Sequence, residues 1–310
     1  MKSIIYRIAL VFFQKFPFQL ALAKLLRFLR FPANKLYQDL RFTGAFKVSI
    51  DKKKSFQLMH SGGTIENEIF WKGLGKTWES HTVWLWIELT KQANVIIDIG
   101  ANRGVYSLIA RTMNPTATIF AFEPSRTTFA KLKENVLLNN YQINCEQLAL
   151  SNYTGTAMFH DSFDQNQTSA TLSNDMIETM RAYDKNLKLN DYEVLVEKLD
   201  DFIQAKNIYE VNLIKLDVEM FEPEVIEGFI KFLYLYKPII LIEVLSEQVA
   251  NRLNELIDKR YLKIHLSDKK MSLKDQLQVV PLEWNYLLVP KGKVNIISKI
   301  AEISKIQVNF

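Results

Sequence analysis

The residues Asp98-Ile99-Gly100-Ala101-Asn102-Arg103-Gly104 place an acid, two glycines and an asparagine directly after the β-branched run Val95 to Ile97. Glycine at 100 and 104 lets the chain turn tightly and lets a ligand lie against bare peptide, because no Cβ stands in the way. A dinucleotide needs three glycines in the spacing G-x-G-x-x-G to seat its pyrophosphate on a helix N-terminus. Those positions read Gly100, Asn102 and Val105, so two of the three glycines are missing. A phosphate-cradling G-x-x-x-x-G-K-[ST] loop is absent from the sequence as well.

A ligand with no phosphate, built from an amino acid and a nucleoside, suits such a turn, and S-adenosylmethionine has this composition. Asp98 would stand beside its α-ammonium, and Glu123, where the next apolar run ends, would accept both ribose hydroxyls as a carboxylate can. Pro124 and Ser125 complete that second turn. Asp98 and Glu123 could also be turn residues alone, but D-I-G-A-N-x-G followed by F-E-P after the next strand makes a set.

Further along, Asp217 and Glu219 are two residues apart in the run VNLIKLDVE, which reads as a strand over 211–219. On a strand they share a face, where a carboxylate can take a proton from a hydroxyl or grip a sugar hydroxyl. With Glu243 they could hold a divalent metal, although nothing in the spacing requires one. One carboxylate could instead cap the following helix. His160 and His265 are the remaining bases that titrate near neutrality, and each could equally be structural.

Alternating elements position these residues. Strand-like NVIIDIG (94–100) leads to a helix over 104–113 that stops near Asn114-Pro115; TIFAFE (118–123) leads to a helix capped by Ser125 and ended by Asn139-Asn140. After NCEQLAL (144–150), a turn at Gly155 and a polar excursion over 161–193, the rhythm resumes. It continues with strands 211–219 and 238–244, one helix between them, a helix over 246–260 capped by Ser246, and a closing hairpin of 262–267 with 284–290. This predicts an α/β fold: a Rossmann-like, doubly wound, mostly parallel sheet with an antiparallel closing hairpin. The division expected is an N-terminal accessory region over 1–90, mainly helical, a catalytic domain over 91–290 and an amphipathic tail over 291–310. The long excursion over 161–193 is the expected acceptor-recognition segment. Trp71, Trp78, Trp84 and Trp86 read as packing residues.

The chain of 310 residues is 48% hydrophobic and contains one cysteine, Cys145, which excludes a disulfide framework and fits a reducing, cytoplasmic compartment. Its net charge of +5 is not spread evenly: seven cations against Asp39 give the first 40 residues +6, leaving −1 for the rest. A near-neutral body argues against nucleic acid as a partner. The N-terminal stretch is apolar but interrupted by Arg7, Lys15 and Lys24, short of the roughly 20 consecutive apolar residues a span needs. It reads either as amphipathic helices lying on an anionic membrane at its inner face or as a cap on the catalytic domain.

Taken together, VIIDIGANRGVYSLIA, FAFEPS, LALSNYTGTAMF, VNLIKLDVEMFEPEVIEGF and NYLLVP, in that order, resemble the FkbM-type S-adenosylmethionine-dependent methyltransferases over about 92–290. The resemblance implies the class I methyltransferase fold, S-adenosylmethionine as donor, and O-methylation of a sugar, glycolipid or other small-molecule acceptor. It places Asp98, Gly100, Asn102, Gly104 and Glu123 at the cofactor. The family's D-V-E-G-x-E stands here as Asp217-Val218-Glu219-Met220-Phe221-Glu222, with Met220 in place of glycine, which should reshape the acceptor pocket. A reading from another class is a non-catalytic Rossmann-like binding or scaffold module in a glycan-assembly complex, which the intact turn argues against. Oligomeric state is not encoded in any of these signals.

Overall fold

The computed structural model describes residues 10–29, 35–76, 79–162, 170–185, 188–267, 270–304 and 307–309. Two compact units emerge, Met1–Ser80 with Asp164–Thr168, and His81–Phe163 with Ser169–Phe310.

In the first unit, residues 10–15 are helical and are followed by α1 (Gln19–Phe28), the antiparallel pair β1 (Thr43–Ser49) and β2 (Ser55–Ser61), and α2 (Thr64–Lys72). The β-hairpin is an addition to a region that is mainly helical, as expected. Its signal was an alternation: Phe46 and Val48 on one strand and Phe56, Leu58 and His60 on the other face inward. Asp51 fixes the turn by accepting from the backbone N–H groups of Lys53 and Lys54 at 2.6 and 2.7 Å. The core is aromatic, with the Phe42 ring 4.6 Å from Phe70 and 4.0 Å from the buried His60. Trp71 donates to the Leu40 carbonyl, so it is structural; Trp78 lies outside the described residues.

The second unit opens within α3 (Ser80–Thr90), which starts at the last residue of the first, and whose fully buried Trp86 donates to the Tyr106 carbonyl at 3.0 Å. It continues through β3 (Val95–Ile99), α4 (Val105–Met113), β4 (Thr118–Phe122), α5 (Arg126–Leu138), β5 (Asn144–Glu146), β6 (Ala149–Leu150) and β7 (Gly155–Ser162). Then come α6 (Asn174–Tyr183), β8 (Leu189–Glu197), α7 (Leu199–Ala205), β9 (Leu213–Leu216), α8 (Glu222–Glu227), α9 (Ile230–Tyr236), β10 (Ile239–Glu243) and α10 (Glu247–Leu256). The unit closes with β11 (Tyr261–Ser267), β12 (Lys270–Lys274), β13 (Asn285–Pro290), α11 (Val294–Ser304) and β14 (Gln307–Asn309).

The main sheet has the order β14-β12-β11-β13-β10-β9-β3-β4-β5. Its strands β5, β4, β3, β9 and β10 are parallel, while β13 runs antiparallel to β10 and β11 antiparallel to β13. This is the Rossmann-like, doubly wound α/β sheet with antiparallel closing strands that the sequence predicts. The order reverses between β3 and β9, and a doubly wound sheet opens its ligand crevice at the carboxyl ends of the strands flanking such a reversal.

Four details differ from the sequence reading. The strand expected over 211–219 ends at Leu216, the single helix between β9 and β10 breaks into α8 and α9 at Gly228, and β12 and β14 extend the closing hairpin. The polar excursion holds α6, and its last residues belong to β8, which with β6 and β7 forms a separate three-stranded sheet; 163–169 and 186–187 lie outside the described residues.

Candidate functional site

The turn after β3 packs too closely for side chains. Gly100 has φ +73°, and a Cβ there would come within 1.8 Å of the Asp217 carbonyl oxygen; at Gly104, φ +84°, it would meet Leu132 at 2.4 Å. Asn102 also takes a left-handed φ of +51°, which asparagine tolerates better than most residues. The Gly100 and Ala101 N–H groups donate to the Phe122 carbonyl at 3.1 and 2.9 Å, stitching the turn to the end of β4.

Glu123 follows that strand end and is buried. Its carboxylate accepts the Asn102 N–H on one oxygen and the Ser125 N–H on the other, both at 2.9 Å. Burial raises its pKa to about 7 against the opposing pull of these two hydrogen bonds. Ser125 also caps α5, accepting from the Thr128 N–H at 3.2 Å, and Pro124 links the two. Beneath the turn, Asp98 is fully buried; one oxygen accepts from the Ser107 hydroxyl at 2.6 Å and the other has no partner among the described residues. Burial pushes its pKa up, opposed by Lys215 and Ser107. Asn102 Oδ1 is likewise buried without a donor. Two orphaned acceptors and a Cβ-free cradle fit a ligand bearing an ammonium and hydroxyl donors, as S-adenosylmethionine does.

Across the switch point, the carboxylates after β9 are brought to the same crevice end, though not as a strand pair. Because β9 stops at Leu216, and Glu219 and Met220 both take left-handed φ values of +56° and +71°, the alternation argument for Asp217 and Glu219 does not apply. Asp217 is held by the Lys215 ammonium at 2.7 Å. Glu219 is half-buried and accepts no hydrogen bond at its carboxylate among the described residues; burial, with Asp217 and Glu222 nearby, raises it to about 8. Glu222, fully buried at the start of α8, accepts the Val218 N–H at 3.1 Å and is raised to about 8 by burial. Arg252 of α10 clamps this helix through Glu224 and, at 2.8 Å, Glu227.

The model of the methyltransferase FkbM domain matches residues 98–263. The chain belongs to this family. Three methyltransferases are similar over part of their length. Methyltransferase 1 of Beauveria bassiana is 30% identical over 144 residues, 43% of this chain and 57% of that protein. The 31-O-demethyl-FK506 methyltransferase FkbM of Streptomyces tacrolimicus is 28% identical over 156 residues, 44% of this chain and 60% of that protein. The hexuronic acid methyltransferase AglP of Haloferax volcanii is 25% identical over 161 residues, 52% of this chain and 60% of that protein. The chain thus spans 57 to 60% of the length of these relatives. Its main sheet is Rossmann-like and doubly wound, with antiparallel closing strands.

The FkbM motifs contain the turn, Glu123 and Lys215, but Asp161 and Thr171 lie outside them. Asp161 of β7 accepts from the Ser125 hydroxyl at 2.7 Å and the Tyr192 hydroxyl at 2.9 Å, bringing the small sheet to the end of β4. Thr171 donates to the Glu219 carbonyl at 2.7 Å. Lys215 was detectable as the one charged residue in an otherwise apolar strand; it is buried and lies over the Tyr106 ring at 4.7 Å. His265 Nε2 is bonded to the Glu283 carbonyl at 2.8 Å and His160 Nδ1 to Asp191 at 2.9 Å. No three carboxylate, histidine or cysteine side chains converge as metal ligands among the described residues, Asp217, Glu219 and Glu243 included.

Proposed function

We propose that the chain is an S-adenosylmethionine-dependent O-methyltransferase acting on a hydroxyl of a sugar, glycolipid or other small molecule. The observation that supports it most is the buried Glu123 carboxylate, pinned by two backbone N–H groups beside a turn that tolerates no Cβ. The free lone pairs of that carboxylate suit a ribose diol, and the orphaned Asp98 oxygen suits an ammonium. S-adenosylmethionine, when bound, supplies a methyl group on a cationic sulfur.

The protein's part is to hold the acceptor and take its proton. Glu219, raised to about 8 and carrying no hydrogen bond at its carboxylate among the described residues, is matched to accept a hydroxyl proton near neutral pH. Asp217, neutralised by Lys215, is suited to gripping a neighbouring hydroxyl rather than to proton abstraction. The resemblance to a hexuronic acid methyltransferase supports a sugar-type acceptor. The left-handed Met220 backbone supports a pocket in which a side chain stands where the family carries glycine.

Titration calorimetry combined with transfer assays on uronic acid and neutral sugar acceptors tests this reading. The wild type should bind S-adenosylmethionine, and Glu123→Gln should bind roughly 10- to 100-fold more weakly, as loss of charge-assisted hydrogen bonds implies. Glu219→Gln should bind normally yet transfer slowly, without the rise in rate toward about pH 8 that the wild type should show. Absence of binding heat would favour the non-catalytic module, and an unchanged Glu219→Gln rate would remove it as the base.

A further inference from the structure

The first unit exposes an apolar surface on its N-terminal helices. Along α1, Phe18, Ala21, Leu25 and Phe28 recur at the spacing of one helical face, and that face points outward: Phe18, Leu25 and Phe28 are 69%, 53% and 83% exposed. Ala23, on the other side, is fully buried. The preceding segment 10–15 adds exposed Val11 and Phe12. Exposed apolar residues are ordinary when scattered; gathered on adjoining helical segments they mark a surface that meets something.

Charge identifies the partner. To one side of the stripe, Lys24 and Arg27 line an open cavity of about 480 Å³ with Lys47 of β1 and the rings of Phe28, Phe46 and Phe70. None of these three cations has an acidic partner among the described residues; Arg27 lies over the Phe70 ring at 5.1 Å. The net charge of +6 over the first 40 residues contrasts with −1 for the remainder. No described helix is long and apolar enough to cross a membrane.

We infer that α1 and the 10–15 segment lie on an anionic lipid surface, with the apolar stripe at the headgroup boundary and the Lys24, Arg27 and Lys47 cavity seating a lipid phosphate. A helix with an apolar face and basic flanks binds in this way through buried area and attraction to anionic lipid together. The long basic side chains reach the headgroups while their stems lie along the apolar surface. This inference stands apart from the methyl-transfer reading, because it uses only the first unit.

Co-sedimentation of the full chain with phosphatidylcholine vesicles, with and without phosphatidylglycerol, tests it. Sedimentation is expected with the anionic vesicles alone and should fall as salt is raised. Replacing the exposed Lys24 and Lys47 together by glutamine should weaken binding roughly 30-fold. The pair Leu25→Ser and Phe28→Ser should weaken it at least about tenfold. Both variants should keep the wild-type circular dichroism spectrum, since these side chains are exposed. No sedimentation, equal sedimentation with neutral vesicles, or full binding by the lysine variant would overturn the inference. Self-association in velocity sedimentation that the serine variant abolishes, without vesicle binding, would assign the face to a second copy instead.

Discussion

Glu222 occupies the first turn of α8 with no solvent contact, one oxygen accepting the Val218 N–H and the other without a donor. Burial raises it from 4.5 to about 8, so across that window the folded chain holds a proton that the unfolded chain releases. Stability must therefore fall as pH rises from about 4.5 to about 8, and Glu123, raised to about 7, acts in the same direction. Glu222→Gln removes the ionisation while keeping an acceptor for Val218. It should be more stable than the wild type by on the order of 3–5 kcal/mol above about pH 8, the difference shrinking to near zero toward pH 4.5. Urea unfolding across this range reads the effect; a destabilised variant at high pH would show that the ionised carboxylate is needed where it is. The sequence showed Glu222 as part of a motif but not its burial, because that depends on α10 and the core packing against α8. Asp98 and Glu123 were readable because short strands ending in acid announce their own position. Asp161 was not, since its role depends on pairing with Ser125 and Tyr192, which lie 36 residues before it and 31 after it.

At the scale of elements, the site is a contact between two strand ends. Asp217 N–H donates to the Ile99 carbonyl at 3.2 Å, and the Asp217 carbonyl lies where a Gly100 side chain would be. Gly100→Ala should therefore force β3 and the segment after β9 apart, adding left-handed strain to overpacking, and should cost about 2–4 kcal/mol. A lowered urea midpoint together with weakened S-adenosylmethionine binding is the expected result; an unchanged midpoint would mean that the turn yields freely. The parallel strands were legible from their apolar runs, and the caps at Ser125 and Ser246 from their residue types. The β1–β2 hairpin had its own alternation of Phe46 and Val48 with Phe56, Leu58 and His60, whereas β12 and β14, of five and three residues, are too short to show a period and gain their pairing from neighbours. The break between α8 and α9 follows from Gly228, where a Cβ would meet the Ser151 carbonyl oxygen at 1.9 Å. A helix period alone does not report that approach.

At the scale of the molecule, the two units carry separate cores: Phe42, Phe46 and Phe70 in the first, and the strand-and-helix core around Ile97, Leu216 and Ile240 in the second. A chain with two cores need not unfold in one cooperative step. A ligand that binds only folded protein stabilises the unit holding its site, by about 2.7 kcal/mol at a hundredfold excess over its Kd. All the residues assigned to the cofactor, Asp98 to Gly104 and Glu123 to Ser125, lie in the second unit. Urea unfolding should accordingly show two transitions. S-adenosylmethionine should move the one reported by the second unit, where Trp86 is fully buried, and leave the other in place. Trp71 belongs to the first unit, so Trp71→Phe and Trp86→Phe variants assign each fluorescence transition to its core. A shift of both transitions by the same amount would mean that the first unit folds only on the second, and the basic N-terminal surface would then be part of the catalytic domain's stability rather than a separate module.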